Sequence, residues 1–253
     1  MADVCCCGEE GRKDNHQNCI LCGKPLIYYS EERMLECCIC HKTKPANASC
    51  EDGHFVCDEC HENGGGAILD LLLHSREKNP LVLLEQVFWL PQVHLHGPEH
   101  HSIVPCVLIT SFHNCGGDIQ FERCLYEAWT RGKKIPGGAC GFLGVCGAAA
   151  GAGVFASIVS GATPLTERQW EIPQRLTVSC LEAIAGIGGP RCCKRTCRIA
   201  IEHAAAFSEI EFGISMPITK ILCRYWVRNN ECIRQRCPYF PHSKSNVAQE
   251  NAL

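Results

Sequence analysis

The sequence lacks an excess of positive charge. Its 24 lysines and arginines are outnumbered by 27 aspartates and glutamates, which leaves a formal net charge of -3 at pH 7. A strong basic field is what draws a chain towards nucleic acids or anionic lipids. We therefore expect no membrane partner, and the charge argues against nucleic acid as a partner.

The first residues also lack the features of a secretory signal. The segment Met1–Glu10 has no basic start, no apolar core and no small-residue cleavage site. The cysteine count, 23, is odd, and adjacent cysteines such as Cys192 and Cys193 are awkward to bridge. Because disulfide scaffolds belong to secreted chains, we expect free thiols in a cytoplasmic, reducing compartment.

What the sequence has in abundance is cysteine in short-range pairs. Four pairs of candidate metal ligands lie close together: Cys19 and Cys22, Cys37 and Cys40, Cys50 and His54, and Cys57 and Cys60. A Cys-x2-Cys turn points two sulfurs at one ion, and two such pairs complete a tetrahedral site. We predict two structural sites with about two zinc ions, although sulfur ligands also suit iron. Sequence-order and interleaved pairing both stay open.

The composition changes at the glycine run 64–66, which is typical of a hinge. We divide the chain into a flexible extension over residues 1–18, a cysteine-rich zinc-ribbon or zinc-knuckle module over 19–65, and a helical domain over 66–253. The predicted fold class is therefore mainly α, an all-helical domain preceded by a small metal module.

Apolar positions at helical spacing predict six to eight helices in that domain. Pro80 suits the first position of a helix, Thr166 and Gln169 resemble a capping box, and Pro190 is predicted to begin a helix. The predicted helices cover about 67–75, 80–90, 98–113, 119–131, 145–159, 166–187 (kinked at Pro173) and 190–208.

The segment from Gly137 to Thr166 carries no charged side chain. It is long enough to span a bilayer. It consists mostly of glycine and alanine, however, and it has no aromatic belt or basic flank. We predict a buried central helix whose small residues allow neighbouring helices to pack closely.

A second set of chemically active residues lies at predicted helix N-termini, in residues 94–101, 140–147 and 188–195. Unpaired N–H groups and the helix dipole favour negative charge there, so we expect lowered thiol pKa values and anion binding. The candidate cofactor ligands are Cys140, Cys146, Cys192 and Cys193. The candidate catalytic residues are His96, His100, His101, Arg191 and Lys194, with His94 as a further ligand or acid–base group.

The tail contains three more candidate metal ligands, Cys223, Cys232 and Cys237. With a fourth thiol from elsewhere they can hold a cluster or zinc; alternatively, they are unpaired thiols that tie the tail to the core. Cys197 is either a spare ligand or a core residue. Four further cysteines are interpreted as small core residues: Cys106, Cys115, Cys124 and Cys180.

Three motifs carry a family resemblance: His-x-His-Gly-Pro-Glu-His-His, Pro-Gly-Gly-x-Cys-Gly-Phe-x-Gly-x-Cys-Gly and Gly-Gly-Pro-Arg-Cys-Cys-Lys-Arg. Together with the metal module, they resemble an uncharacterised domain family of methanogenic archaea and anaerobic bacteria, over residues 16–241. Some members are joined to radical S-adenosylmethionine modules, which implies iron–sulfur or sulfur-transfer chemistry. This chain lacks the Cys-x3-Cys-x2-Cys signature of those modules, so we do not expect it to perform that reaction alone.

These observations favour a cytoplasmic metal–thiolate protein with an iron–sulfur cluster of the 4Fe–4S type. It would act in redox, sulfur transfer or metallocofactor assembly. Its partner would be a redox or sulfur-transfer protein, with a radical S-adenosylmethionine protein as one candidate. Two alternatives stay open: a non-enzymatic zinc-knuckle adaptor for a protein or RNA, and a metal-free thiol-dependent enzyme.

Overall fold

The computed structural model describes residues 19, 22, 24–61 and 65–241, with the backbone alone at 59 and 61. The predicted N-terminal extension, with Cys5, Cys6 and Cys7, lies outside the described residues. The metal module contains an antiparallel hairpin of β1 (Leu26–Glu36) and β2 (Thr43–Cys50), followed by the short helix α1 (Asp58–His61). Leu26 pairs with Cys50 and Glu36 with Thr43, so the two ends of the hairpin are far apart.

Eight α-helices follow between residues 65 and 212, which confirms the mainly α fold class; the strands of the described residues lie in the metal module. The helices are α2 (Gly65–His74), α3 (Pro80–Phe88), α4 (Glu99–Asn114), α5 (Phe121–Gly132), α6 (Ala139–Phe142), α7 (Gly147–Ser160), α8 (Arg168–Ile187) and α9 (Cys193–Phe212). The tail after α9 contains two single 3-10 turns, Trp226–Arg228 and Arg234–Arg236.

Helix α4 occupies the centre of the helical domain. It packs against α2, α3, α5, α7 and α9, and every residue from Glu99 to Phe112 is buried. A helix surrounded on all sides needs no polar face, which explains the uninterrupted apolar run from Ile103 to Ile109. The histidines at its N-terminus are therefore buried with it.

The uncharged segment forms the buried helix α7, as predicted. A side chain at Gly151 would lie 2.8 Å from the carbonyl oxygen of His101, and one at Gly153 would lie 2.2 Å from Thr177 Oγ1. The small residues thus allow α4 and α8 to approach α7 closely. Across the part of the chain that the structure describes, no helix is both long and apolar enough to cross a membrane.

Three local predictions on helix ends have different outcomes. Pro80 takes a first-turn position of α3, as expected, and the side-chain oxygen of Asn79 caps that helix. The predicted capping box is wrong, because the hydroxyl of Thr166 bonds instead with the backbone of Thr163 and α8 has no side-chain cap. Pro190 does not begin α9, since it follows a cis peptide bond and the helix begins at Cys193.

Candidate metal centres and the cavity beside them

The eight predicted ligands of the metal module form two tetrads. Cys19, Cys22, Cys50 and His54 have ligand atoms within 4.8 Å of one another, and so do Cys37, Cys40, Cys57 and Cys60. Sulfur atoms lie 3.8 Å apart between Cys22 and Cys50, and 3.8 Å apart between Cys40 and Cys57. Zn–S bonds of about 2.3 Å in a tetrahedron require a spacing of about 3.8 Å. Each tetrad can therefore hold one metal ion.

The two tetrads interleave the four pairs, and the hairpin explains why. The first pair precedes β1 and Cys50 ends β2, so they meet at one end of the antiparallel hairpin. The chain then runs back along the hairpin, where the Cys38 N–H donates to the carbonyl of Phe55 at 2.9 Å. This return brings Cys57 to Cys37 at the opposite end, where the Cys57 N–H points at the Cys37 sulfur from 3.4 Å.

Backbone donors prepare one module thiol for metal binding. Burial acts to raise the pKa of Cys37, but the backbone N–H groups of Cys40, Cys57 and Ile39 lower it to about 6. Thiolate rather than thiol is the metal ligand. The knuckle backbone thus stabilises the charged form before any ion binds.

A cavity of about 1150 Å³ lies between the metal module and the helical domain; we call it the interface cavity. Three contacts join the module to the domain around it. Asp58 Oδ2 accepts the Gly137 N–H at 3.0 Å, the Arg191 guanidinium lies 5.1 Å from the Tyr28 ring centre, and the Tyr28 and Phe142 rings pack together. The predicted site residues in its wall are His94, His96, His101, Cys140, Arg191, Cys193 and Lys194.

Two of the predicted histidines have a fixed tautomer. A carbonyl oxygen can only accept a hydrogen bond, so Nδ1 carries the hydrogen in His100, which donates to Gly97 at 3.0 Å, and in His101, which donates to Ile135 at 3.0 Å. Burial lowers both pKa values, which keeps the rings neutral. Their Nε2 atoms are then lone-pair acceptors, the form in which imidazole binds metals or protons. His101 lines the interface cavity, whereas His100 packs beneath it against Phe88.

In His96 the roles of the two ring nitrogens are reversed. Its Nδ1 accepts the Cys193 N–H at 3.4 Å, and its Nε2 lies 3.6 Å from Glu231 Oε2. Burial, followed by the charge of Arg191, lowers the pKa of His96 to about 3. His94 Nδ1 lies 3.2 Å from Glu99 Oε1 at the rim. We call residues 94–101 the histidine loop; it places the neutral imidazole of His96 against the start of α9.

The four predicted cofactor thiols do not line one wall. Cys140 and Cys193 line the interface cavity, Cys146 packs against the hydrophobic core, and Cys192 lies in a second cavity. The prediction of lowered thiol pKa values at these helix N-termini is wrong, since burial raises the pKa of Cys140 and Cys192 and raises that of Cys193 to about 12. Loss of hydration there exceeds the effect of the helix dipole.

The second cavity joins Cys192 to the tail. We call the four thiols that line it the tail tetrad: Cys192, Cys223, Cys232 and Cys237. The thiol that lies beside the three tail cysteines is thus that of the residue that precedes α9. The other body cysteines fit the core interpretation, with Cys106, Cys180 and Cys197 fully buried and Cys115 and Cys124 packed against the core.

Sequence reasoning missed several groups around these cavities. Tyr28 and Asp58 belong to the module, and no local pattern marks them as cavity residues. Glu231 could have been identified from the sequence, because it immediately precedes the candidate ligand Cys232. In the structure it lies 3.6 Å from both Arg191 and His96. An acid adjoining a candidate ligand is a usable signal for a supporting residue.

Comparison with known proteins identifies one relationship. The model of a family of unknown function (DUF5714) matches residues 68–240 of the 253-residue chain. The matched span contains the histidine loop, the cavity thiols and the tail tetrad, whereas the metal module precedes it. No curated protein and no solved structure matches the chain.

Proposed function

We propose, from the premise that the chain belongs to the DUF5714 family, that it is a cytoplasmic metal–thiolate protein acting in redox, sulfur transfer or metallocofactor assembly. An iron–sulfur centre would lie in the helical domain, and the reaction would take place in the interface cavity. The observation that carries the proposal is the meeting of Cys140, Cys193, His101 and Arg191, from separate segments, in the wall of one cavity.

The metal module would have a structural role. Each tetrad offers four protein ligands and leaves no open position, which is the pattern of stabilising rather than catalytic zinc. The 3.8 Å sulfur spacings fit one tetrahedral ion in each tetrad, and zinc is the ion we propose. The two ions would stabilise the fold of the hairpin and α1. They would therefore keep Tyr28 and Asp58 against the helical domain.

The interface cavity would receive a small anionic reactant. Arg191 is always protonated, and the Nζ of Lys194 lies 3.8 Å from the Phe88 ring centre without a hydrogen-bond partner. A buried cation without a partner is costly. Arg191 already has Glu231 at 3.6 Å, so an anion held beside it would mainly compensate the charge of Lys194 and remove part of this cost.

The two cavity thiols would carry the chemistry. A thiolate can bind iron, or it can attack the outer sulfur of a partner's persulfide, from which a thiolate leaves. Either role requires the proton of Cys140 or Cys193 to leave, and iron would displace it, because metal binding to a thiol releases the proton. The neutral imidazole of His101 lies in the same wall. A redox or sulfur-transfer partner protein would supply electrons or sulfur through the open side of the cavity.

Elemental analysis of protein purified without oxygen tests the metal content. We expect about two zinc ions per chain in the module, together with iron, acid-labile sulfide and a broad visible band near about 400 nm. Zinc without iron or sulfide would contradict the proposal and favour the zinc-knuckle adaptor.

Alkylation mapped by mass spectrometry tests the anion site. Thiosulfate should slow the alkylation of Cys140 in the wild-type chain and not in Arg191→Met. Cys38, an exposed module cysteine outside both tetrads, provides the internal control, and Arg175→Met is the matched surface variant. Equal protection of Cys140 and Cys38, or full protection in Arg191→Met, would argue against an anion site.

A further inference from the structure

The tail tetrad has the properties of a cluster site rather than of a site for a single ion. We propose that Cys192, Cys223, Cys232 and Cys237 bind a 4Fe–4S cluster that lies one residue from the wall of the interface cavity. The inference deepens the proposed function, on which it rests, because it assigns the iron–sulfur centre to a defined set of ligands.

The spacing of the four sulfurs is the first argument. Among the described residues, the groups whose ligand atoms all lie within 4.8 Å of one another are the two module tetrads, so no three sulfurs of the tail tetrad are that close. A single tetrahedral ion needs sulfurs about 3.8 Å apart. A cluster binds each thiolate at a separate iron corner and therefore needs them farther apart. The four thiols nevertheless line one cavity.

Hydrogen bonds to the sulfurs are the second argument. The Asn229 amide donates to Cys192 Sγ at 3.6 Å and the Arg234 N–H to Cys232 Sγ at 3.4 Å. Two of the four sulfurs thus receive an N–H group, which stabilises the electron-rich sulfurs of a reduced cluster.

The surroundings provide compensating charge and exclude water. Arg195 and Arg198 line the tail cavity, and Arg198 is almost completely buried. A 4Fe–4S centre with four thiolates is an anion, so buried guanidinium groups suit it. Trp226 and Phe240 pack edge to face over the same cavity, with ring centres 5.2 Å apart. Shielding by aromatic rings protects a cluster from solvent.

The defined conformation of the tail is also explained by a bound group that its side chains share. Residues 213–240 contain only two single 3-10 turns as regular structure, yet Cys237, Tyr239 and Phe240 are buried in a small apolar cluster with Ile199 of α9. A segment without helices or strands has few backbone bonds to hold it. A cluster bound to three of its cysteines and to Cys192 would cross-link it to α9.

The position of the tail tetrad connects it to the interface cavity. Cys192 is a tetrad member and the next residue, Cys193, lines the cavity. On the tail side, Glu231 precedes Cys232 and lies 3.6 Å from both Arg191 and His96 of the cavity wall. An electron on the cluster would therefore be close to a reactant held by Arg191.

The experiment uses the full chain, reconstituted with iron and sulfide without oxygen. We expect about four iron and four sulfide ions per chain and a paramagnetic signal after reduction with dithionite. Cys232→Ser should lose this iron and the signal while keeping the module zinc. Cys180→Ser, a buried cysteine outside the tetrad, is the matched control and should keep both.

Several outcomes distinguish this inference from the proposed function. Iron that persists in Cys232→Ser and disappears in Cys140→Ser or Cys193→Ser would overturn the tail tetrad and leave the proposed function standing. A third zinc ion in place of iron would overturn both, and so would the absence of any metal outside the module. Loss of module zinc in Cys232→Ser would indicate unfolding, and Asn229→Ala then provides the test.

Asn229→Ala keeps all four ligands and removes one donor to Cys192. It should retain iron and shift the reduction potential to a more negative value, because the reduced cluster loses a stabilising hydrogen bond. Arg123→Ala on the exposed face of α5 is the control and should leave the potential unchanged. An unchanged potential in Asn229→Ala would contradict the assignment of Cys192 as a ligand.

Discussion

The buried ion pair between α3 and α9 gives the sharpest stability prediction. Arg198 Nη2 and Nε lie 2.6 and 2.8 Å from Glu85 Oε1, and the side chains are 1% and 16% exposed. Glu85→Gln keeps the shape and removes the compensating charge. Breaking a buried pair by losing one partner costs about 3–5 kcal/mol. Because Glu85 keeps some solvent contact, we expect the lower limit, about 3 kcal/mol.

A matched surface pair provides the control. Arg175 Nη1 lies 3.3 Å from Glu211 Oε2; the glutamate is 12% exposed, but the arginine that Glu211→Gln leaves without its partner is 54% exposed and stays hydrated. Glu211→Gln should cost less than about 1 kcal/mol, as exposed pairs do. For a chain of this size, 3 kcal/mol corresponds to a fall in Tm of about 6–12 °C. Urea and thermal unfolding measure both variants in protein that holds module zinc and no iron, so that no cluster charge compensates Arg198.

The double variant decides whether the charge is responsible. In an Arg198→Met background, Glu85→Gln no longer leaves a buried cation alone and should cost less than about 1 kcal/mol, so the two effects are not additive. Equal losses for Glu85→Gln and Glu211→Gln, or additive losses in the double variant, would refute the reasoning.

Three other predictions concern the glycines, the module contact and the module ions. Gly147→Ala should lower the free energy of unfolding by about 1–3 kcal/mol, because the new Cβ would lie 2.1 Å from the His101 ring. Gly186→Ala lies on open helix surface and should raise it by up to about 1 kcal/mol. Thermal unfolding measures both. Asp58→Ala removes the acceptor of the Gly137 N–H; it should increase proteolysis between module and helical domain while module zinc stays bound, and an unchanged cleavage rate would contradict this contact. Chelation of the module ions should unfold the hairpin and leave the helical circular dichroism largely intact, and a helical loss of more than half would show that the helical domain depends on the module.

The elements of the fold could be predicted wherever local chemistry dominates. Asn79 and Pro80 mark the start of α3 because a side-chain oxygen and a ring without an N–H both suit a helix start. The glycine-rich α7 and the apolar α4 follow from pattern as well. Thr166 and Pro190 misled the prediction because their hydrogen bonds and backbone geometry depend on the turns around them.

The candidate metal ligands of the module could be identified from the sequence alone. Cys-x2-Cys spacing is a local property, since the turn between two thiolates aims them at one point. Their pairing was decided by the hairpin, because an antiparallel strand pair returns Cys50 to the start of β1 and carries Cys57 to its end. The spacing of the cysteines along the chain does not show where the chain reverses direction.

For the thiols of the helical domain, too, the sequence determined some properties and the tertiary structure decided others. The sequence by itself determined that Cys192 and Cys193 lie at the start of a helix and that the tail offers three more thiols. Only the tertiary structure decided that the two neighbours face different cavities, one towards the tail and one towards the module. It also decided their protonation, because burial raises the pKa of Cys193 to about 12. Desolvation is a sum over the surrounding atoms, most of which come from distant parts of the chain.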